Sequence, residues 1–487
     1  MSTSAVDFKL KLSAESILAI YSITLVSIFI LLNFFMPFNW WIYLVCLGLA
    51  GLLILKAPEV GLYTIIFCTI IFERWFTLQP FEWSGGLLKL YPLDVIIIFT
   101  LLSFLAYWAV RPGRPRLVLR DRLFGWSLLL WVGVISVYFI AALISGQADS
   151  ALAFSTFKNF ALYFIIYLLT INIIRTDQQF KRFFATFLCA GVGLLYFIVY
   201  GFVSGQGLWS EFVPLSTPGS RLLGGPHSFF VAMMIVMFGN LLIWRYRRSL
   251  RDYSSLLLIA VFLLGIIGSL QRHLWLALLL AVAILLYWYQ PKQRRHFGHL
   301  LALGVVVVLI VASLSLWAYS WRASTILPDS GLLQSTKFRL FSLVTTDGAD
   351  SSAVWRLASW YRAWEVFGDH WLTGIGLGET ISFAIGELDF TVEVRELHND
   401  FIGLAVQLGV MGIFVGLSLL YRYLRGFVSA YRRCSAAYRP YLLTFFALAA
   451  MFLWSANFGT YFDTNMLVIF FWFFLAGMSV SARLGEG

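Results

Sequence analysis

Ionisable side chains are scarce along this chain of 487 residues, so those that flank its apolar runs are the places to look for chemistry. His398-Asn399-Asp400 directly precedes the run FIGLAVQLGVMGIFVGL. An imidazole ordinarily titrates near about 6.5 and suits proton abstraction at neutral pH. His398 is therefore either a general base at the mouth of a membrane cavity or an interfacial hydrogen-bonding group of no consequence, with Asn399 and Asp400 placed to orient it. Arg272 sits beside His273 in the short polar break Gln271-Arg272-His273 between two strongly apolar runs. A charge held so close to hydrocarbon is costly and marks a functional candidate, the alternative being a turn arginine that snorkels. Arg221 and His227, in the loop 204–227, are weaker candidates of the same kind. Arg356 and Arg362 lie in SSAVWRLASWYRAWEVFGDHW, residues 351–371, where Trp355, Leu357, Ala358, Tyr361, Trp364 and Phe367 recur at helical spacing behind a serine cap. Either this helix lies in the membrane interface with its arginines snorkelling, or it projects Arg356 into a cavity to bind phosphate. The segment Gly374-Ile375-Gly376-Leu377-Gly378 follows, and it either cradles phosphate or ends the helix and turns the chain.

The elements that must position these residues are apolar. The chain is 60% hydrophobic, 18% aromatic and only 12% charged, with a mean hydropathy of +0.84. A soluble domain carries about 25% charged residues, and disordered chains are charge-rich and poor in aromatics. The composition leaves an all-α polytopic membrane protein. Fourteen apolar runs approach the length needed to cross a bilayer, at 17–35, 40–56, 59–73, 93–110, 124–144, 159–174, 183–203, 228–244, 254–270, 273–289, 298–319, 400–421, 441–458 and 463–481. Every second connection is basic, so that 24 of the 35 basic residues and 7 of the 24 acidic ones fall on one side. The positive-inside rule then puts both termini in the cytoplasm. The first run follows a short polar stretch and has no small-residue cleavage signal after it, which predicts a retained span. The basic loops set topology and meet anionic headgroups, so the net charge of +11 gives no reason to invoke nucleic acid.

Three regions follow: a transmembrane region of eleven spans at 1–319, one long outer loop at 320–399, and three further spans at 400–487. Long connections of this kind are usually functional. The loop holds Arg322, Lys337, Arg339, Arg356, Arg362, Arg395, ten acidic residues and two histidines. Its acids between Glu379 and Glu396 are scattered and lack the tight spacing of a metal site. Cys46, Cys68 and Cys189 lie inside apolar runs and Cys434 stands apart, which suggests neither a disulfide framework nor zinc.

The order of Arg356 with its Trp-rich helix, then TGIGLGE, then HNDFIGLAVQLGVMGIFVGL resembles the C-terminal signature of the O-antigen ligase and polymerase family over about residues 350–424. GSLQRHLWLAL at 268–278 is similar to that family's arginine-bearing outer turn, with Gln271 and His273 replacing the usual flanking residues. The resemblance implies a C-type glycosyltransferase architecture in the bacterial inner membrane, a site facing the periplasm, no metal and no cofactor. The donor it implies is a glycan on undecaprenyl diphosphate. Arg272 and Arg356 would bind the diphosphate, with Arg221 and Arg362 as further substrate-binding candidates, and His398 would deprotonate the acceptor hydroxyl for an inverting attack. These roles suit the residues: arginine holds phosphate oxygens bidentately without losing its proton, and fixed cations favour a leaving group that gains negative charge.

Within the family, a polymerase extends one lipid-linked chain onto another, and a ligase moves the finished chain to a lipid A core. The extra N-terminal spans favour an O-antigen or exopolysaccharide polymerase. A transferase acting on protein would carry a further C-terminal soluble domain. From another class, a lipid-linked oligosaccharide flippase would carry ionisable residues within its spans, whereas here charge gathers at one outer surface.

Overall fold

The computed structural model describes residues 13–73, 81–83, 86–88, 91–110, 117–119, 121–146, 149–204, 222–246, 249–323, 351–384 and 391–486. Every one of the fourteen apolar runs lies on helical backbone. The first seven helices are α1 (Ala14–Phe35), α2 (Trp40–Lys56), α3 (Pro58–Phe72), α4 (Pro92–Val110), α5 (Ser127–Ser145), α6 (Ser150–Phe157) and, after a π-helical turn at Lys158–Leu162, α7 (Phe164–Ile173). They continue as α8 (Asp177–Ser204), α9 (Gly225–Arg245), α10 (Leu250–Gly268), α11 (Arg272–Trp288) and α12 (Pro291–Ala323). The last four are α13 (Ser351–Asp369), α14 (Asp400–Arg433), α15 (Arg439–Ser455) and α16 (Asn465–Gly485). The starts follow local chemistry: Asn39 Oδ1 accepts from the amides of Trp41 and Ile42, Pro58 opens α3, and Ser249 with Asp252 forms a capping box on α10. Eight helices, among the described residues, are long and apolar enough to cross a membrane, and five shorter apolar ones lie among them.

The run expected at 400–421 differs from a plain span. α14 extends to Arg433, so Arg422, Arg425, Arg432 and Arg433 ride on helix instead of in a loop, with the last two beside the negative end of its dipole. It is also broken at Gly409, whose φ of 59° and ψ of −148° are not helical. A break leaves backbone groups without partners, a heavy cost in an apolar surrounding. Here neighbours supply them. The carbonyls of Val406 and Gln407 accept from the amides of Ile375 and Gly376 at 3.0 and 3.1 Å, and Val410 N donates to Trp371 O at 2.8 Å. Tyr138 Oη donates to Leu408 O at 3.0 Å. The Gly-rich segment is thus the strap that closes the break. A Cβ on Gly374 would lie 2.4 Å from Gln407 O, and one on Gly378, at φ 88°, would lie 2.5 Å from Ala153 N.

α11 packs on α15, α15 on α16, and α16 on α7, with α3 between α4 and α8. α15 and α16 form the most buried part of the bundle, and Phe446 of α15 stacks on Phe427 of α14 with centroids 3.6 Å apart. Between lipid-like surfaces such van der Waals fit, and not water exclusion, holds helices together. A second, small core joins α13 to the first turns of α14. Ala363, Ile381, Leu397 and Val406 are its buried members, and the hairpin β3 (Ile381–Ala384) with β4 (Thr391–Val394) closes it. A shorter hairpin pairs β1 (Phe81–Trp83) with β2 (Gly86–Leu88). Charge does enter the bundle, in pairs: Lys158 Nζ lies 2.8 Å from Asp94, and Arg182 lies 2.9 Å from Glu15 and 3.0 Å from Glu59.

Candidate functional site

His398 stands on the short connection between β4 and α14, in a left-handed backbone conformation at φ 50°. Such a conformation costs about 1–2 kcal/mol for a residue with a side chain and persists only where the surroundings impose it. The surroundings are named. Trp360 Nε1 donates to the carbonyl of Leu397 at 2.8 Å. Trp355 sets its ring edge-to-face on the imidazole, with centroids 4.9 Å apart and planes at 83°. Asn399 Oδ1 accepts from the amides of Phe401 and Ile402, both at 3.1 Å, and so caps α14. Asp400 is buried, and its Oδ2 accepts from Tyr461 N at 2.8 Å and Phe462 N at 2.9 Å. Its own amide donates to Ala456 O at 2.9 Å. Asn399 and Asp400 therefore fix the backbone that carries His398.

Arg356 is half-buried one residue after Trp355, on the helix that faces the histidine. Burial, and then the charge of Arg356, push His398 below the ordinary range for an imidazole, against a smaller opposing effect of Glu396. At neutral pH the ring is accordingly neutral and able to accept a proton. Ser359 Oγ donates to the carbonyl of Arg356 at 2.9 Å and is itself buried.

Arg272 is the first residue of α11 and half-buried. The turn before it is tight: Leu270 has φ 57°, and Gln271 is buried. His273 Nε2 lies 3.1 Å from Tyr461 Oη, while Tyr461 N donates to Asp400. The helix that opens with Arg272 and the helix preceded by His398 thus meet on the connection between α15 and α16. Two other candidates are placed differently. Arg362 is exposed and held by Glu365 at 2.8 Å. Arg221 lies outside the described residues.

His227, at the start of α9, stacks on Phe197 with centroids 4.7 Å apart. Its Nδ1 lies 3.0 Å from Glu73 Oε1, and its Nε2 lies 3.2 Å from Ile71 O. Glu73 adopts φ 44°, so the three non-glycine residues with positive φ among the described residues are Glu73, Leu270 and His398. Contacts link the start of α9, where His227 meets Glu73, to the turn that holds Leu270. Leu222 N donates to Gly268 O at 3.0 Å, and a Cβ on Gly225 would lie 3.6 Å from Gln271 Nε2.

The sequence did not single out Arg395, Asp463, Asn159 or Tyr461. Arg395 Nη2 lies 2.8 Å from Glu396 and 3.8 Å from Asp463, and Asn159 Nδ2 donates to the carbonyl of Asp463 at 2.8 Å. Burial pushes the Asp463 carboxyl up despite the opposing charge of Arg395. An acid and an arginine at the outer ends of apolar runs were the available signal, whereas a tyrosine in a chain with 22 of them gave none. Among the described residues no three His, Cys, Asp or Glu side chains gather as metal ligands do.

Residues 255–417 match the family model described as O-antigen ligase. The matched stretch runs from α10 into α14 and so contains Arg272, Arg356 and His398. It supports assignment to the O-antigen ligase and polymerase family and, with the apolar helices, a membrane glycosyltransferase-like role in O-antigen processing. Comparison with curated proteins finds no match.

Proposed function

We propose that this protein is a periplasm-facing glycosyltransferase of the bacterial inner membrane, with fourteen spans and both termini in the cytoplasm. It transfers a glycan from undecaprenyl diphosphate to the hydroxyl of an acceptor sugar. A polymerase, with a second lipid-linked glycan as acceptor, is the preferred reading; a ligase acting on lipid A core is the alternative. The observation that carries it is the meeting of a neutral, half-buried His398, the facing Arg356 and the helix begun by Arg272, all within the segment matched to the family.

In this reaction Arg272 and Arg356 hold the donor's diphosphate. His398 takes the proton of the acceptor hydroxyl as its oxygen bonds to the anomeric carbon. The bond from that carbon to the phosphate oxygen breaks on the opposite side, so the configuration inverts and undecaprenyl diphosphate leaves with the electron pair. The arginines match the charge that develops on the leaving group, where fixed cations contribute most. The buried charges of Lys158 and Arg182 elsewhere in the bundle stand in ion pairs with Asp94 and with Glu15 and Glu59.

The test is to incubate purified protein with an undecaprenyl diphosphate glycan, alone and with lipid A core. Longer lipid-linked chains from donor alone establish the polymerase, and glycan-capped core establishes the ligase. Neither product from active-state protein rejects glycan transfer and returns the flippase to first place.

A further inference from the structure

The connection between α15 and α16 touches the helix that begins with Arg272 and the start of the helix that follows His398, although it contributes none of the residues to which that reading gives a chemical role. Tyr461 is 4% exposed and Phe462 3%, in the outer end of an apolar bundle. From this short stretch the phenol of Tyr461 meets His273 on α11, and two successive amides meet Asp400 on α14. The carboxylate of Asp463 faces Arg395, just past the strand that leads toward His398, and its carbonyl receives Asn159 from the π-helical turn. The rings extend the same junction: Tyr461 sets its edge on Phe229 of α9 at 5.5 Å, and Phe462 stacks on Phe160 at 5.4 Å.

Most of those contacts would serve any compact bundle. The phenol is different. A phenylalanine would fill the same space, and a buried hydroxyl must find a partner or cost stability. Its partners are the imidazole beside Arg272 and the hydroxyl of Ser455, and the amide of Tyr461 is bound by the carboxylate two residues after His398. The bond from His273 through Tyr461 to Asp400 therefore runs between the two helix starts that hold the anion ligand and the base.

We propose that Tyr461 is a positioning residue: its hydroxyl, bound to His273, fixes Arg272 relative to His398 through Asp400. The inference rests on the glycosyl-transfer reading of the site. A diphosphate held by Arg272 and an acceptor held at His398 must be aligned to within fractions of an ångström, and a small misplacement at a distance from the chemistry lowers turnover sharply. A positioning bond of this type acts on the aligned state more than on binding, so its loss falls on kcat.

The experiment compares Tyr461→Phe, His273→Gln and the double variant in the purified full-length protein. Transfer from an undecaprenyl diphosphate glycan gives kcat, the donor KM and the pH profile, and amide hydrogen exchange is followed at 399–403 and 461–462. The expected result is a loss in kcat of about 10-fold or more in each single variant, in line with the known sensitivity to misplacement. The double variant should lose no more than the worse single one, because both remove the same bond. Donor KM and the pH midpoint of the acid limb stay within about twofold of wild type. Losses that multiply in the double variant, or a Tyr461→Phe protein with wild-type kcat, overturn the proposal. If wild-type protein transfers no glycan, the functional reading fails by itself and the exchange data decide the bond. Faster exchange at 461–462 in both single variants supports a fixed link to α14, and unchanged exchange overturns it.

Discussion

Replacing His398 with asparagine removes the base while sparing the fold. The substitution is chosen for the backbone: at φ 50° asparagine is among the residues most tolerant of the left-handed conformation. What the fold loses is the edge-to-face contact with Trp355, worth about 0.5–1.5 kcal/mol. That is small against the roughly 5–15 kcal/mol by which domains are stable. What the reaction loses is larger. A positioned general base contributes about 10²- to 10⁴-fold, which at about 1.36 kcal/mol per tenfold is about 2.7–5.4 kcal/mol of transition-state stabilisation. The two effects are separable because the ring stands outside the backbone network of Asn399 and Asp400. The assay is initial rate of glycan transfer against pH at saturating donor, on protein whose melting temperature matches wild type. His398 accepts a proton only when neutral, so the wild-type rate rises with pH through its pKa and levels off above it. Burial and Arg356 place that rise below the ordinary imidazole value of 6.5, so the wild-type enzyme is on its plateau at neutral pH. His398→Asn should fall by at least about 100-fold on the plateau and lose the acid limb, with donor KM nearly unchanged. A folded His398→Asn protein within about tenfold of wild type, or one that keeps the limb at the same midpoint, refutes the assignment.

Arg272→Ala and Arg356→Ala should each raise the donor KM more than the corresponding lysine variants, because lysine keeps the charge and loses the bidentate fork; unchanged donor dependence in both would remove them from the site. Gly378→Ala should lower the melting temperature, since its Cβ would lie 2.5 Å from Ala153 N at a φ of 88°, a clash of the kind that costs about 1–3 kcal/mol. An unaltered melting temperature with impaired donor binding would instead revive the phosphate-cradle reading of the Gly-rich segment.

What could be read from the sequence followed from hydropathy, spacing and motif. Fourteen apolar runs lie on helix because a backbone in hydrocarbon has no other way to pair its polar groups locally. Trp355 and Arg356 were visible as one helical turn, and His398 as a polar residue at an apolar boundary. The break in α14 was hidden, because Gly409 is one of 38 glycines and its partners lie some thirty residues upstream or on α5. Asn399 and Asp400 were seen as neighbours of the histidine, yet their bonds run to backbone, a choice that depends on where α15 and α16 turn. Lys158 and Asp94 carried no signal in the sequence. Their pairing across 64 residues is a property of packing, and no local pattern announces it.

The pairing of Arg356 with His398 answers a difficulty in the chemistry. A base that waits near a membrane must stay unprotonated, yet a weakly basic imidazole is a poor acceptor for a sugar hydroxyl's proton. With the donor absent, the guanidinium charge and burial together hold the ring neutral. On the proposed reaction, a diphosphate bound to Arg356 would bring negative charge against that guanidinium and offset its effect on the ring, raising the proton affinity once the donor is in place. After transfer, departure of the undecaprenyl diphosphate would uncover the arginine's charge again and favour loss of the proton from the imidazole. On the proposed reaction the same side chain would bind the donor, steady the leaving group and time the base. This use requires a cation that keeps its proton throughout the cycle, which separates arginine from lysine at position 356.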